Sequence, residues 1–132
     1  MKKSKLIQDL KVIELSTVLA GPSVGMFFAE LGAEVIKIEH PKLPDVTRSW
    51  KLPSEHEDSP VSAYFSSVNF GKNYQKLDLT ASDDYDSFVQ LVKSADILLT
   101  NFKHGDDRKL KLETKTLHAI NPRLIIGKIS GF

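Results

Sequence analysis

The chain contains no cysteine. Disulfides, thiolate metal sites and a cysteine nucleophile are therefore excluded, and a cytoplasmic location is expected. It has one tryptophan, and almost no excess of either charge. Its 18 Lys and Arg against 17 Asp and Glu leave a formal net charge of +1. That balance offers no electrostatic argument for nucleic acid or a membrane surface as a partner. No apolar run approaches the roughly 18 residues that span a bilayer. The opening MKKSKLIQDLKV is basic but lacks the apolar core and small-residue cleavage site of a signal peptide. There is no internal repeat. The four histidines (His40, His56, His104 and His118) show no ligand-like spacing, so no metal is expected.

What is present fits one globular domain: 132 residues, 41% hydrophobic and 27% charged. Lys11–Leu15 (KVIEL) reads as a first strand and Ser16–Pro22 as the loop after it. Val24, Phe27, Phe28 and Leu31 fall at i, i+3, i+4 and i+7, one face of a helix, with Gly32 at its C-terminal stop. Glu34–Glu39 (EVIKIE) is a second strand. His40–Pro60, with Pro41, Pro44, Pro53 and Pro60, is a long loop of the kind that is functional or mobile. Val61–Asn69 is ambiguous. Tyr74–Leu79 is expected as a third strand. Thr80–Asp84 suits a helix start, followed by a stripe of Tyr85, Phe88, Val89 and Val92. Asp96–Thr100 is a fourth strand, Asn101–Asp107 a polar loop, Glu113–Asn121 a short helix stopped by Pro122, and Leu124–Ser130 a fifth strand.

This alternation predicts an α/β fold: a Rossmann-like parallel sheet of about five strands with helices on both faces, apparently truncated. Ligands of such sheets bind beyond the carboxyl ends of the strands, where strand order reverses. The loops that matter are then Ser16–Pro22, His40–Pro44, Asn69–Asn73 and Asn101–Arg108. A dinucleotide is one candidate, because Glu39 follows Gly21 by about 18 residues, near the acidic ribose-binding position. The glycine spacing does not fit. Pro22 has no N–H to offer a pyrophosphate, although it suits the first position of a helix.

Five separated stretches carry a more specific signal: TVLAGPSVGMFFAELGAEVIKIEHP, DVTRSW, FGKNYQKLDL, DILLTNFKHGDDRKL and LHAINPRLIIGKISGF. In this order and spacing they resemble the class III CoA-transferase family, which includes formyl-CoA transferase, carnitine CoA-transferases and α-methylacyl-CoA racemase. The resemblance runs from about Leu10 to Phe132 and matches the N-terminal part of a longer family protein. It implies that residues 1–132 are a single CoA-binding domain, a fragment or split subunit, with coenzyme A or acyl-CoA as ligand.

It also implies roles for individual residues. Val18, Leu19, Ala20 and Gly21 would lie along coenzyme A. His40 stands where arginine is common near the adenine nucleotide. Asn69 and Lys72 would help hold phosphates, with Asn73 in place of a common arginine. Asn101 and Phe102 would contact coenzyme A, followed by Lys103, His104 and Gly105, and Arg108 would reach phosphate. The bottom-up chemistry agrees in kind, since a 3′-phosphate and a pyrophosphate call for several converging cations, and Phe102 or Phe70 could face the adenine. Arg48 and Trp50 match the family as ligand contacts or as anchors of the long loop.

The family's chemistry uses an aspartate nucleophile, or an Asp–His pair in the racemases. No aspartate here matches it in register. Asp45 and Asp106 are read as solvated loop acids, and the chain alone is expected to be inactive. Self-association is expected, because half of such a fold exposes edges and faces. The alternatives are a non-catalytic binding or interaction module with this fold, and a dinucleotide-binding domain.

Overall fold

Apolar side chains alternate along the central strands, so each face of the sheet acquires a core of its own. In the computed structural model, which describes residues 6–131, the strands are β1 (Lys11–Leu15), β2 (Glu34–Glu39), β3 (Asn73–Lys76), β4 (Ile97–Thr100) and β5 (Ile125–Lys128). All four pairings are parallel, in the order β3-β2-β1-β4-β5. The helices are α1 (Ala20–Glu30), α2 (Ala63–Ser67), α3 (Ser82–Ser94), α4 (Asp106–Lys109) and α5 (Thr114–Ile120). On one face Ile13, Leu15, Ile38 and Leu98 pack with Phe88 and Val92 of α3 and Leu117 of α5. On the other, Val12, Val35, Ile97 and Leu99 pack with Ala29 of α1 and with Ala33. Strand order reverses between β1 and β4, so the crevice expected where the order reverses lies above these two strands.

Several expected boundaries move, for local reasons. The third strand ends at Lys76 rather than Leu79. Its partner β2 stops at Glu39, and the chain turns instead, with the Thr80 amide and hydroxyl both donating to Asp78 Oδ1. The ambiguous Val61–Asn69 contains α2, started by Ser62, whose hydroxyl accepts from the Phe65 amide at 2.9 Å. The polar loop after β4 contains the single turn α4. Pro22 is the third residue of α1 rather than the first, still within the turn where a missing N–H breaks no helical bond.

The face that α1 turns to the sheet is also not the expected stripe. Phe27 is 57% exposed and Val24 is exposed, whereas Gly21, Pro22, Gly25 and Ala29 are buried. The sheet beneath explains this. A Cβ at Gly25 would collide with the Glu14 carboxylate, and one at Gly21 with the Ser16 side chain. The helix lies too close to two polar strand-end side chains for any larger residue. Gly32 does end the helix as expected, at φ 109.

Candidate functional site

Between α1 and the sheet lies a group of charges that the sequence does not advertise. Glu14 of β1 and Lys37 of β2 are cross-strand partners. Lys37 Nζ stands 3.0 Å from Glu14 Oε1 and 3.1 Å from Asp45 Oδ2, and donates to the Ser16 carbonyl at 2.6 Å. Lys72 Nζ approaches Glu14 Oε2 at 2.7 Å, outside hydrogen-bond alignment, so that contact is chiefly ionic. Its hydrogen bonds go to the Pro22 carbonyl and Asn69 Oδ1. The side chains of all four charged residues are closed to solvent. Burial, only partly offset by Glu14, brings Lys72 down to about 8. The signal that could have revealed this group is an acid and a lysine placed mid-strand in KVIEL and EVIKIE.

The group reaches the crevice through Asp45, which corrects the reading of that residue as a solvated acid: it is 1% exposed. Both of its carboxylate oxygens accept from the Val18 amide, and Oδ1 also accepts from the Thr47 amide and hydroxyl. Val18 sits at φ 71, a conformation that a β-branched residue adopts only under constraint. Asn101 holds the same loop from the β4 side. Its Oδ1 accepts from Thr17 N at 3.1 Å and its Nδ2 donates to Thr17 O at 2.8 Å. The β1–α1 loop is thus fixed at its middle, through Thr17 and Val18.

Burial would push the Glu39 and Asp45 carboxyls up. Arg48 and the Asp45 amide bonded to Glu39, and Lys37 and Thr47 bonded to Asp45, outweigh it and hold both below their usual 4.5 and 3.8. With folded-state values depressed, acid protonates the unfolded chain first. The stabilisation is complete above about pH 4.5 and is lost as pH falls through that value and below. Thermal melts followed by circular dichroism should therefore show a midpoint declining below about pH 5. Asp45→Asn should lower the midpoint at pH 7 and flatten the acid limb.

Two cavities open at the strand ends. One, of about 810 Å3, lies over β4 and β5 and is lined by Asn101, Phe102, Lys103, His104, Asp107 and Lys128, among others. The other, of about 210 Å3, lies over β1 and β2. Its walls include Leu43, Leu77, Leu79 and Phe102, with His40 and Asp78. Phe102 lines both.

The expected residues therefore separate into groups. Asn101, Phe102 and Lys103 meet at the larger cavity, and His40 and Phe102 at the smaller. Val18, Leu19 and Ala20 form the clamped loop and the start of α1, with Leu19 half exposed. Lys72 is closed off within the protein, and Asn69 with it, while Phe70 is exposed. Arg108 lines neither cavity; it is exposed on α4 and pairs loosely with Glu113 at 3.5 Å. Arg48 is an anchor: it grips both oxygens of Glu39, at 2.9 and 2.6 Å, and stacks on Phe65 at 3.9 Å. Trp50 meets Tyr64 edge-on. Lys128, Leu77 and Leu79 were not foreseen as cavity residues. Among the described residues no group of His, Asp or Glu could hold a metal ion, and no helix is long and apolar enough to cross a membrane.

The model of CoA-transferase family III matches residues 7–132. A succinyl-CoA:mesaconate CoA-transferase of Haloarcula hispanica is 38% identical over 126 residues, covering 96% of this chain and 32% of that protein. A succinate–glutarate CoA-transferase of Agrobacterium fabrum is 37% identical over 129 residues, with the same coverage of each. The crystal structure of a CAIB/BAIF family protein from Brucella suis superposes with a TM-score of 0.89 at 40% identity, covering 99% of this chain and 34% of that one. The chain thus spans about a third of the length of these relatives.

Proposed function

Because the chain belongs to CoA-transferase family III, we propose that residues 7–132 bind the nucleotide end of coenzyme A or an acyl-CoA at the C-terminal rim of β1, β2, β4 and β5, as a single domain working in the cytoplasm. The observation that carries this reading is the pair of adjoining cavities with unlike chemistry. One is apolar and partly aromatic, suited to a base. The other carries Lys103 and Lys128, suited to phosphate oxygens. Phe102 is the wall common to both. The amino end of α1, which no side chain caps, adds a positive dipole end beside the loop.

In the reaction proposed for the whole protein, CoA passes between carboxylic acids through an aspartyl intermediate. This chain's residues would bind and orient the carrier. Of the acids lining the two cavities, Asp45 holds the Val18 amide, Asp107 pairs with Lys128 at 3.3 Å and Asp78 accepts from Thr80. The nucleophile is accordingly assigned to no residue of this chain, which by itself is proposed to bind without catalysing transfer.

Calorimetric titration with CoA is expected to give saturable binding. Lys103→Ala and Lys128→Ala should each weaken it by about 3- to 10-fold, the worth of one charge-assisted contact on the surface. Unchanged NADH fluorescence on mixing would set a dinucleotide site aside. Absence of CoA binding at millimolar ligand would leave a non-catalytic interaction module as the better description.

A further inference from the structure

The smaller cavity is unusual for a nucleotide site in the sign of its charge. Its lining includes neither lysine nor arginine, but three carboxylates: Glu39, Asp45 and Asp78. Two of these are matched from within the protein, Glu39 by Arg48 and Asp45 by Lys37. Asp78 has no lysine or arginine partner among the described ion pairs. The hydroxyl and amide of Thr80 donate to its Oδ1 and hold its carboxyl below the usual value, so it is an anion at neutral pH.

Its remaining neighbour is His40, and the geometry fixes how that ring is used. Nδ1 accepts from the Lys42 amide at 3.0 Å and from the Leu43 amide at 3.1 Å. A ring nitrogen that accepts carries no proton. The single proton is therefore on Nε2, which faces Asp78 Oδ2 at 3.5 Å. In this arrangement His40 offers one neutral N–H and no fixed charge. The cations lie across Phe102, where Lys103 and Lys128 line the neighbouring cavity.

With the base of a CoA carrier in the apolar cavity and its pyrophosphate across Phe102 toward the lysines, the ribose would come near Asp78. A carboxylate there can accept a hydrogen bond from a ribose hydroxyl but repels a phosphate on the same sugar. We propose that this chain reads the nucleoside end of the carrier without a lysine or arginine, so that 3′-dephospho-CoA binds at least as tightly as CoA, with Asp78 determining that preference. The inference rests on the CoA reading above.

The test is calorimetric titration of the chain with CoA and with 3′-dephospho-CoA at matched ionic strength. Equal affinities, or tighter binding of dephospho-CoA, are expected. Asp78→Asn should tighten CoA by about threefold while leaving dephospho-CoA within about twofold, because only one ligand places a charge near the carboxylate. CoA binding more tightly than dephospho-CoA by more than about threefold overturns the proposal. So does an Asp78→Asn effect of equal size on both ligands. If neither ligand binds, the CoA reading itself fails, and this inference with it.

Discussion

Replacing Lys37 with methionine is expected to lower the free energy of unfolding by about 3–5 kcal/mol. Methionine keeps the length and much of the volume of the side chain but removes the ammonium that touches Glu14, Asp45 and the Ser16 carbonyl. Two carboxylates then face each other inside the protein, with Lys72 left to serve Glu14 alone. An intact buried ion pair gives little net stability, because desolvation offsets attraction; a broken one leaves an uncompensated charge. For a domain of this size the loss is a large share of about 5–15 kcal/mol. Urea unfolding measures it, with the exposed Lys93→Met as control. Adding Asp45→Asn to Lys37→Met should recover part of the loss, since it removes the carboxylate that Lys37 alone matched. A midpoint unchanged from wild type in Lys37→Met would mean that the cluster carries no such coupling.

The second large effect has the opposite sign from what helix propensity alone would give. Alanine is favoured over glycine within a helix by about 1 kcal/mol, so Gly25→Ala in α1 should stabilise if the position were open. It is not open. The added methyl would overlap the Glu14 carboxylate and press on the Lys72 side chain, which would stand 3.2 Å away. Neither can rotate into solvent, so the methyl must displace a buried ion pair, costing about 3 kcal/mol or more. The expected net result is a loss of about 2 kcal/mol or more, read as a lower urea midpoint with an unchanged slope. A stabilised Gly25→Ala would show that α1 can lift from the sheet at little cost.

These two residues also show what could be read from the sequence and what could not. Strands were legible because runs such as KVIEL and DILLT are apolar and bounded by turn residues. The parallel sheet followed from strand–helix alternation. The inward face of α1 was not legible. Periodicity picks out Phe27 and its neighbours as one face, but which face turns inward depends on what stands on the sheet below. Glu14, Lys37 and Lys72 are brought together only by strand register and by a bond from Lys72 to Pro22, 50 residues away. Composition carries no trace of that. The same limit explains Asp45, read as a solvated acid because nothing in the sequence pairs it with a partner, and why the burial of Lys72 against Glu14 could not be foreseen. Asn101, Phe102 and Lys103 were legible because they directly follow β4, where position in the chain already dictates position at the rim.

The glycine in α1 and the charges beneath it also restrict how this protein can change over generations. A larger residue at 25 requires a smaller one at 14. Loss of the acid at 14 strands Lys72, and loss of Lys37 strands Asp45. Single-nucleotide steps into this group therefore lead almost everywhere to weakened intermediates. Lineages should either keep the whole set or replace it wholesale with an apolar one, and mixed combinations should be scarce among living descendants.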